Sequence, residues 1–190
     1  MRKYVLAAVC LICALFFFSS VSFSAGDKPL KGEKFFTRTN LKNKGMLIFF
    51  YNMSKVSEII PVGTAVEMKG FSAKVIRFKK ESGKKTYRIT DRPAVYRKYF
   101  VNKEDEIGLE TMSDKAKAAI KLMQVYEGMT KNEVLVSKGC PAYIDVGVKS
   151  WGKTLEQIMA SNSWYYNVDS RRREMIISFE NGIISTIARR

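Results

Sequence analysis

The chain has 190 residues, of which 33 are Lys or Arg and 18 are Asp or Glu, and it contains three cysteines and no histidine. The absence of histidine excludes a Ser-His-Asp triad, a Cys-His nucleophile pair and a histidine-ligated zinc or haem site. Because 46% of the residues are hydrophobic, the chain has enough apolar side chains to bury a core. These counts favour a binding or structural protein over an enzyme, and we expect no catalytic residue, no cofactor and no metal.

Residues 1–24 have the layout of a secretory signal peptide. Arg2 and Lys3 are followed by an uncharged run of 14 residues at 5–18, and small residues precede an expected cleavage after Ser24. A membrane-spanning helix needs about 20 apolar residues, so retention of this segment as an anchor is the alternative. No residue pattern supports lipid attachment. We therefore expect an exported protein, either periplasmic or associated with the outer membrane.

Removal of residues 1–24 leaves 31 basic against 18 acidic residues, a net charge of +13. A basic surface often indicates nucleic-acid binding. Outside the cytoplasm, however, the abundant polyanions are membrane surfaces and acidic envelope polymers. We therefore expect no nucleic-acid partner and consider an anionic membrane surface as a partner, while a purely solubilising role for the charge is the alternative.

Residues 25–104 are predicted to form a β-rich N-terminal domain. From about Gly45 to Asp91, short runs of β-branched and aromatic residues alternate with Gly, Pro and Ser. This pattern is typical of strands joined by turns, and it predicts a small antiparallel β sheet or barrel. The polar stretch at 102–108 is the predicted linker to the second half.

Residues 105–190 are predicted to hold two helices followed by three strands. Apolar residues from Ala116 to Met123 fall on one face of a helix. Thr130 and Glu133 have the spacing of a capping box at the start of a second helix. Asn181-Gly182 joins two apolar runs and predicts a type I′ hairpin. The expected fold class is therefore α+β, with the N-terminal sheet or barrel followed by a two-layer αα-βββ domain.

Several residues of this half follow one another in the order of a known family pattern, namely G-M-T, x-x-E-V, G-x-P, W-x-Y and F-x-N/D-G. The matching positions are Gly128, Met129, Thr130, Glu133, Val134, Gly139, Pro141, Trp164, Tyr166, Phe179, Asn181 and Gly182. On these positions the segment from about 110 to 190 resembles the SmpA/OmlA (BamE-like) domain. The resemblance implies an exported αα-βββ module associated with the outer membrane, which in its best-known member is a non-catalytic accessory of the machinery that inserts β-barrel proteins. We expect the matching residues to be mainly structural, as caps, core residues and turn residues.

The candidate interaction surface combines exposed basic and aromatic residues of the second half. Arg171, Arg172 and Arg173 connect two predicted strands, where an anionic-lipid contact is one interpretation. Tyr143 and Trp151 belong to the predicted loop at 142–153.

Cys140 is the only cysteine after residue 24. We expect it to fill a turn next to Pro141 rather than to act as a nucleophile. The predicted function is that of an exported, non-catalytic protein-binding module of the bacterial cell envelope, with an envelope protein as its partner. The alternative is a basic protein that binds anionic lipid or envelope polymer surfaces.

Overall fold

A computed structural model describes residues 29–50, 58–167 and 174–190 of the chain. The predicted signal peptide at 1–24 and the basic run Arg171, Arg172 and Arg173 lie outside the described residues. Within the described ranges, no helix has both the length and the apolar character needed to cross a membrane.

The described residues of the N-terminal half, 29–50 and 58–104, contain eight strands that form two sheets. In chain order they are β1 (Lys34–Thr37), β2 (Leu41–Asn43), β3 (Leu47–Phe49), β4 (Glu58–Ile60), β5 (Ala65–Ser72), β6 (Val75–Lys80), β7 (Thr86–Thr90) and β8 (Phe100–Val101). Six of them form one sheet in the order β3-β7-β6-β5-β1-β8, and β2 pairs with β4 in a separate two-stranded sheet. The strands β5, β6 and β7 form an antiparallel meander, whereas β3 runs parallel to β7.

In the second half, the described residues 105–167 and 174–190 contain three α-helices and five strands. They are α1 (Asp114–Lys121), α2 (Lys131–Lys138), β9 (Tyr143–Ile144), β10 (Val148–Lys149), α3 (Leu155–Ala160), β11 (Ser163–Asn167), β12 (Glu174–Glu180) and β13 (Ile183–Arg189). The five strands form an antiparallel sheet in the order β10-β9-β11-β12-β13. Short 3-10 helices at Pro93–Lys98, Glu104–Ile107 and Leu109–Thr111 connect the two halves.

Two local predictions are confirmed. The Thr130 hydroxyl accepts a hydrogen bond from the backbone N–H of Glu133, and the Glu133 carboxylate accepts one from the backbone N–H of Thr130 at 2.7 Å, so α2 begins with a capping box. Asn181 and Gly182 have φ values of 51° and 79° between β12 and β13. Positive φ at both central residues is what a type I′ hairpin requires.

The predicted fold class, a small antiparallel sheet or barrel followed by an αα-βββ domain, is wrong. The larger N-terminal sheet is mixed, because β3 lies parallel to β7 at its edge. The segment at 142–153, predicted as a loop, adds β9 and β10 to the second sheet, and α3 follows them. Strands of two or three residues are too short to show a periodicity of two, and a parallel pair between distant segments leaves no local signal.

The halves share a continuous core that crosses the predicted boundary between 104 and 105. The Asn40 side chain donates hydrogen bonds to the carbonyl oxygens of Ile120 at 2.8 Å and Ser137 at 3.2 Å. Its amide oxygen accepts one from the backbone N–H of Val62 at 3.0 Å. Ile107, within the predicted linker, is buried in the same core. The six-stranded sheet and the helices of the second half are therefore packed together.

Candidate functional site

The outer face of the five-stranded sheet carries a row of apolar side chains. Burial alternates along β11, so Trp164 and Tyr166 point into the core and Tyr165 points outward. Tyr165 lies directly opposite Tyr143 on one neighbouring strand and Ile176 on the other. All three outward side chains are half-buried. The sheet thus presents three adjacent apolar groups to the outside.

These three side chains form the floor of a groove of about 570 Å³, which we call the tyrosine groove. Polar and small residues surround them, among them Glu174 and Arg190 at the open end of the β12–β13 hairpin, away from its turn. The complete lining consists of Tyr143, Val146, Gly147, Ser163, Tyr165, Glu174, Ile176, Ser178, Ala188 and Arg190. The groove therefore has an apolar centre and a polar rim, which is the composition of many protein-binding sites.

The inner face of the same sheet holds the groove in place. The Trp164 indole N–H donates to the carbonyl oxygen of Ile158 at 3.0 Å, and its ring packs edge-on against Phe179 at 4.8 Å between centroids. The Tyr166 hydroxyl donates to the carbonyl oxygen of Gly139 at 2.9 Å, at the end of α2. Because Tyr165 lies between two anchored residues, its outward direction is fixed by the packing of its neighbours.

The remaining motif residues lie at the contact between α2 and the hairpin. Ile184 and Met129 are joined by a backbone hydrogen bond of 2.8 Å, and Lys131 donates one to the Gly182 carbonyl at 2.9 Å. Gly128 has a φ of 94° just before this contact. Met129, Val134 and Pro141 are buried, and Gly139 ends the helix. These positions therefore hold the fold together, and the ligand-accessible residues are found elsewhere.

Trp151 lies apart from the tyrosine groove. The Arg92 guanidinium stacks 4.5 Å from the centre of its ring, a favourable cation–π arrangement. Arg92 also lines a smaller depression of about 410 Å³ with Phe71 and Pro93. Of the predicted surface residues, the structure thus places Tyr143 in the groove and Trp151 at a second location.

The positive charge is distributed very unevenly between the two halves. Residues 25–104 contain 19 basic and 7 acidic residues, a net charge of +12, whereas residues 105–190 contain 12 and 11, a net charge of +1. Within the first half, residues 65–90 alone hold eight basic and two acidic residues. This range is the β5-β6-β7 meander.

The outer face of the meander, which we call the arginine face, carries much of this charge. Glu67 is the acidic residue on it, and its carboxylate pairs with the ammonium groups of both Lys69 and Lys79. Arg77 on β6 lies directly opposite Arg88 on β7. Neither arginine forms a salt bridge or side-chain hydrogen bond with any residue in the ranges that the structure describes. Two uncompensated guanidinium groups therefore stand side by side on this face.

A buried polar cluster links the two halves beneath these surfaces. The Lys98 ammonium lies 2.5 Å from the Asp91 carboxylate, both side chains have no exposed area, and Lys98 also donates to the Ser150 carbonyl at 3.0 Å. Asp91 accepts further hydrogen bonds from the Tyr99 hydroxyl at 2.5 Å and from the backbone N–H of Gly152 at 2.8 Å. Each buried side-chain nitrogen and oxygen of the pair has at least one hydrogen-bond partner, so the cluster fits a structural link between the halves.

Cys140 lies in the same interior and is fully enclosed. Burial raises the pKa of its thiol from the ordinary value of 9.0 to about 11. Burial also raises the pKa of Tyr99 and of Tyr166 well above the ordinary value of 10.0. A thiol that stays protonated and lacks access to solvent is a poor nucleophile.

Among residues 29–50, 58–167 and 174–190, no three His, Cys, Asp or Glu side chains converge in a way that could hold a metal ion. No protein-family model, no curated protein and no solved structure matches the chain. The candidate functional features are therefore the tyrosine groove and the arginine face.

Sequence reasoning did not identify the arginine face or the Asp91–Lys98 pair. The difference in net charge between the two halves is a sequence signal that indicates the arginine face. For the Asp91–Lys98 pair, the nearest signal was the position of these two residues near the ends of a segment, 91–100, that also contains Tyr96, Tyr99 and Phe100.

Proposed function

We propose that the protein is an exported, non-catalytic binding module of the bacterial cell envelope whose tyrosine groove binds an envelope protein. The observation that carries the proposal is the row Tyr143, Tyr165 and Ile176 on an outer sheet face. Tyrosine is enriched at protein interfaces because its ring supplies apolar contact and its hydroxyl a hydrogen bond. The leader-like residues 1–24 support export.

The near-neutral second half favours a protein partner for the groove over a polyanion. With a net charge of +1 on residues 105–190, apolar contact rather than long-range attraction is available to drive binding there. The groove suits a partner that inserts an apolar side chain between the two tyrosines and pairs polar groups with Glu174 and Arg190. The SmpA/OmlA resemblance of residues 110–190 supports an accessory role in outer-membrane protein assembly or envelope integrity.

Site-specific photo-cross-linking tests this proposal. A photoreactive residue placed at Tyr165 should link one defined envelope protein, whereas the same residue at Lys121, exposed on α1, should not. The purified partner should then bind the unmodified chain, and Ile176→Asp should weaken that binding about tenfold or more, because a charge would be placed on the apolar floor. Equal cross-linking from both positions, or an unchanged affinity of the Ile176→Asp variant, would contradict the proposal.

A second candidate function is binding to an anionic lipid or polymer surface. The net charge of +12 on residues 25–104 and the arginine face favour it. Such binding weakens steeply with salt, because the Debye length falls from about 10 Å at 0.1 M to about 3 Å at 1 M. Binding of the protein to anionic vesicles that survives about 1 M salt unchanged would contradict it.

A further inference from the structure

Arg77 and Arg88 occupy directly opposed positions on neighbouring antiparallel strands. Cβ atoms in such pairs are about 4.5–5.5 Å apart, and like charges placed there repel each other. In the described part of the chain no acidic group offsets this repulsion, because Glu67, the acid on the same face, already pairs with Lys69 and Lys79. The arrangement costs stability, and among the described residues neither arginine gains a salt bridge or a side-chain hydrogen bond in return.

Both arginines can be reached from solvent, because Arg88 is exposed and Arg77 is half-buried. Gly70 lies opposite Arg77 on the other side, where a break in the β5–β6 register occurs. Its φ is +140°, and a side chain at this position would meet no atom within 4 Å. Leu47 lies opposite Arg88 at the parallel edge. A ligand can therefore approach both guanidinium groups from outside without displacing a side chain at Gly70.

We propose that Arg77 and Arg88 together bind one phosphate group, which makes them the anion-recognising element of the arginine face. This rests on the second proposed function, binding to an anionic surface, and names the chemistry of that surface. Each guanidinium is a planar fork whose N–H groups match two phosphate oxygens. One phosphate placed between the forks cancels the repulsion and satisfies donors on both side chains.

The lysines nearby add attraction of a less specific kind. Lys84 and Lys85 lie in the exposed loop between β6 and β7, away from the opposed arginines. An ammonium group acts as a point charge, without the fork that fixes a phosphate between two donors. Removing these two lysines takes away the same total charge as removing the arginine pair, which makes the lysine pair a matched control.

Vesicle sedimentation separates the two contributions. The exported form of the chain is mixed with vesicles of phosphatidylcholine containing phosphatidic acid, whose headgroup is an exposed phosphate. The double variant Arg77→Gln/Arg88→Gln should bind at least about tenfold more weakly, whereas Lys84→Gln/Lys85→Gln should lose about threefold or less. The charge-conserving variant Arg77→Lys/Arg88→Lys should bind the vesicles about as weakly as the Gln variant, because an ammonium group lacks the planar guanidinium that holds two phosphate oxygens.

Titration with inorganic phosphate, followed by NMR of the arginine side-chain N–H signals, distinguishes a free phosphate from a headgroup. Shifts confined to Arg77 and Arg88 support the site, and shifts of similar size at every exposed arginine overturn it. If phosphate at the concentration that saturates these shifts also releases the protein from vesicles, the site accepts free phosphate. If vesicle binding persists, the headgroup is the preferred ligand, and the phosphate site stands in either case.

Two further outcomes are decisive. Equal losses for the arginine and lysine variants overturn the phosphate site while leaving binding to an anionic surface intact. Failure of the unaltered chain to bind these vesicles at low salt overturns the phosphate site and the second proposed function together.

Discussion

The two large sheets bury similar inner faces and present very different outer ones. Both bury alternate residues of their strands, such as Ile76 and Phe78 in one sheet and Trp164 and Tyr166 in the other. Outward, the six-stranded sheet shows opposed arginines, whereas the five-stranded sheet shows an aromatic groove. Because core packing constrains only the inward positions, the outward ones are free to carry function. The difference between the outer faces is the basis for proposing charge-driven binding by one sheet and apolar binding by the other.

The largest expected effect comes from breaking the buried link between the halves. Lys98→Met leaves the Asp91 carboxylate buried without its cation, and uncompensated buried charges cost about 3–5 kcal/mol. We expect a loss of that size in the free energy of unfolding measured by urea denaturation. Lys103→Met removes an exposed lysine nearby and should change stability by less than about 0.5 kcal/mol. Similar stabilities for the two variants would show that the buried pair does not join the halves.

Alkaline pH should destabilise the protein through Cys140. The pKa of the thiol is about 11 in the folded protein, against 9.0 for an ordinary cysteine. Between these values the unfolded chain has lost the proton that the folded chain retains, so stability falls as the pH rises from about 9 to about 11 and is unaffected well below 9. The buried tyrosines act in the same direction at higher pH, so Cys140→Ala is the required comparison. Its unfolding free energy should fall less over this range than that of the unaltered chain, and identical slopes would contradict the assignment.

Removing the cap of α2 should lower the stability of the fold without altering the arginine face. Thr130→Ala deletes the hydroxyl that accepts from the Glu133 backbone N–H, and losing such a cap typically costs about 1 kcal/mol. Urea denaturation measures this loss, with Thr186→Ala on the exposed side of β13 as the control. Vesicle binding by the folded variant should stay unchanged, because the arginine face is untouched. Reduced vesicle affinity at full folding would show that the two surfaces are coupled.

The smallest expected effect is a slight gain in stability, whereas the preceding changes lower it. Arg88→Gln removes one of two opposed like charges, and such pairs contribute about 0.2–1 kcal/mol. We expect the free energy of unfolding to stay constant or rise by a few tenths of a kcal/mol while vesicle affinity falls. A loss of more than about 1 kcal/mol in urea denaturation would mean that Arg88 has a structural role instead.

Local features of the fold were predictable because their chemistry is local. The capping box at Thr130 and the turn at Asn181-Gly182 each depend on residues within one turn of chain. The parallel pairing of β3 with β7 was not predictable, because it joins segments about 40 residues apart through a strand of three residues.

The residues of the candidate sites were likewise predictable where they depend on nearby sequence, and not where they depend on pairing between separate segments. Tyr143 was predicted as a surface residue, but its register opposite Tyr165 arises from a strand of two residues within a predicted loop. The alternation of a strand places Arg77 on the opposite face from Ile76, whereas its pairing with Arg88 depends on the register across the loop at 81–85. Lys98 looks like a surface residue in sequence, and its burial is explained by contacts with Asp91, the Ser150 carbonyl and the Tyr99 ring, which the sequence alone does not show.

The most direct test of the two-surface account compares two double variants in the same pair of assays. Arg77→Gln/Arg88→Gln should lose vesicle binding and keep the envelope protein cross-linked from the groove. Tyr143→Ser/Tyr165→Ser should keep vesicle binding and lose the cross-link to the envelope protein. For this variant the photoreactive residue is placed at Ser163 on the groove wall. If either variant loses both activities while remaining folded, the two sheets do not act separately and the account is contradicted.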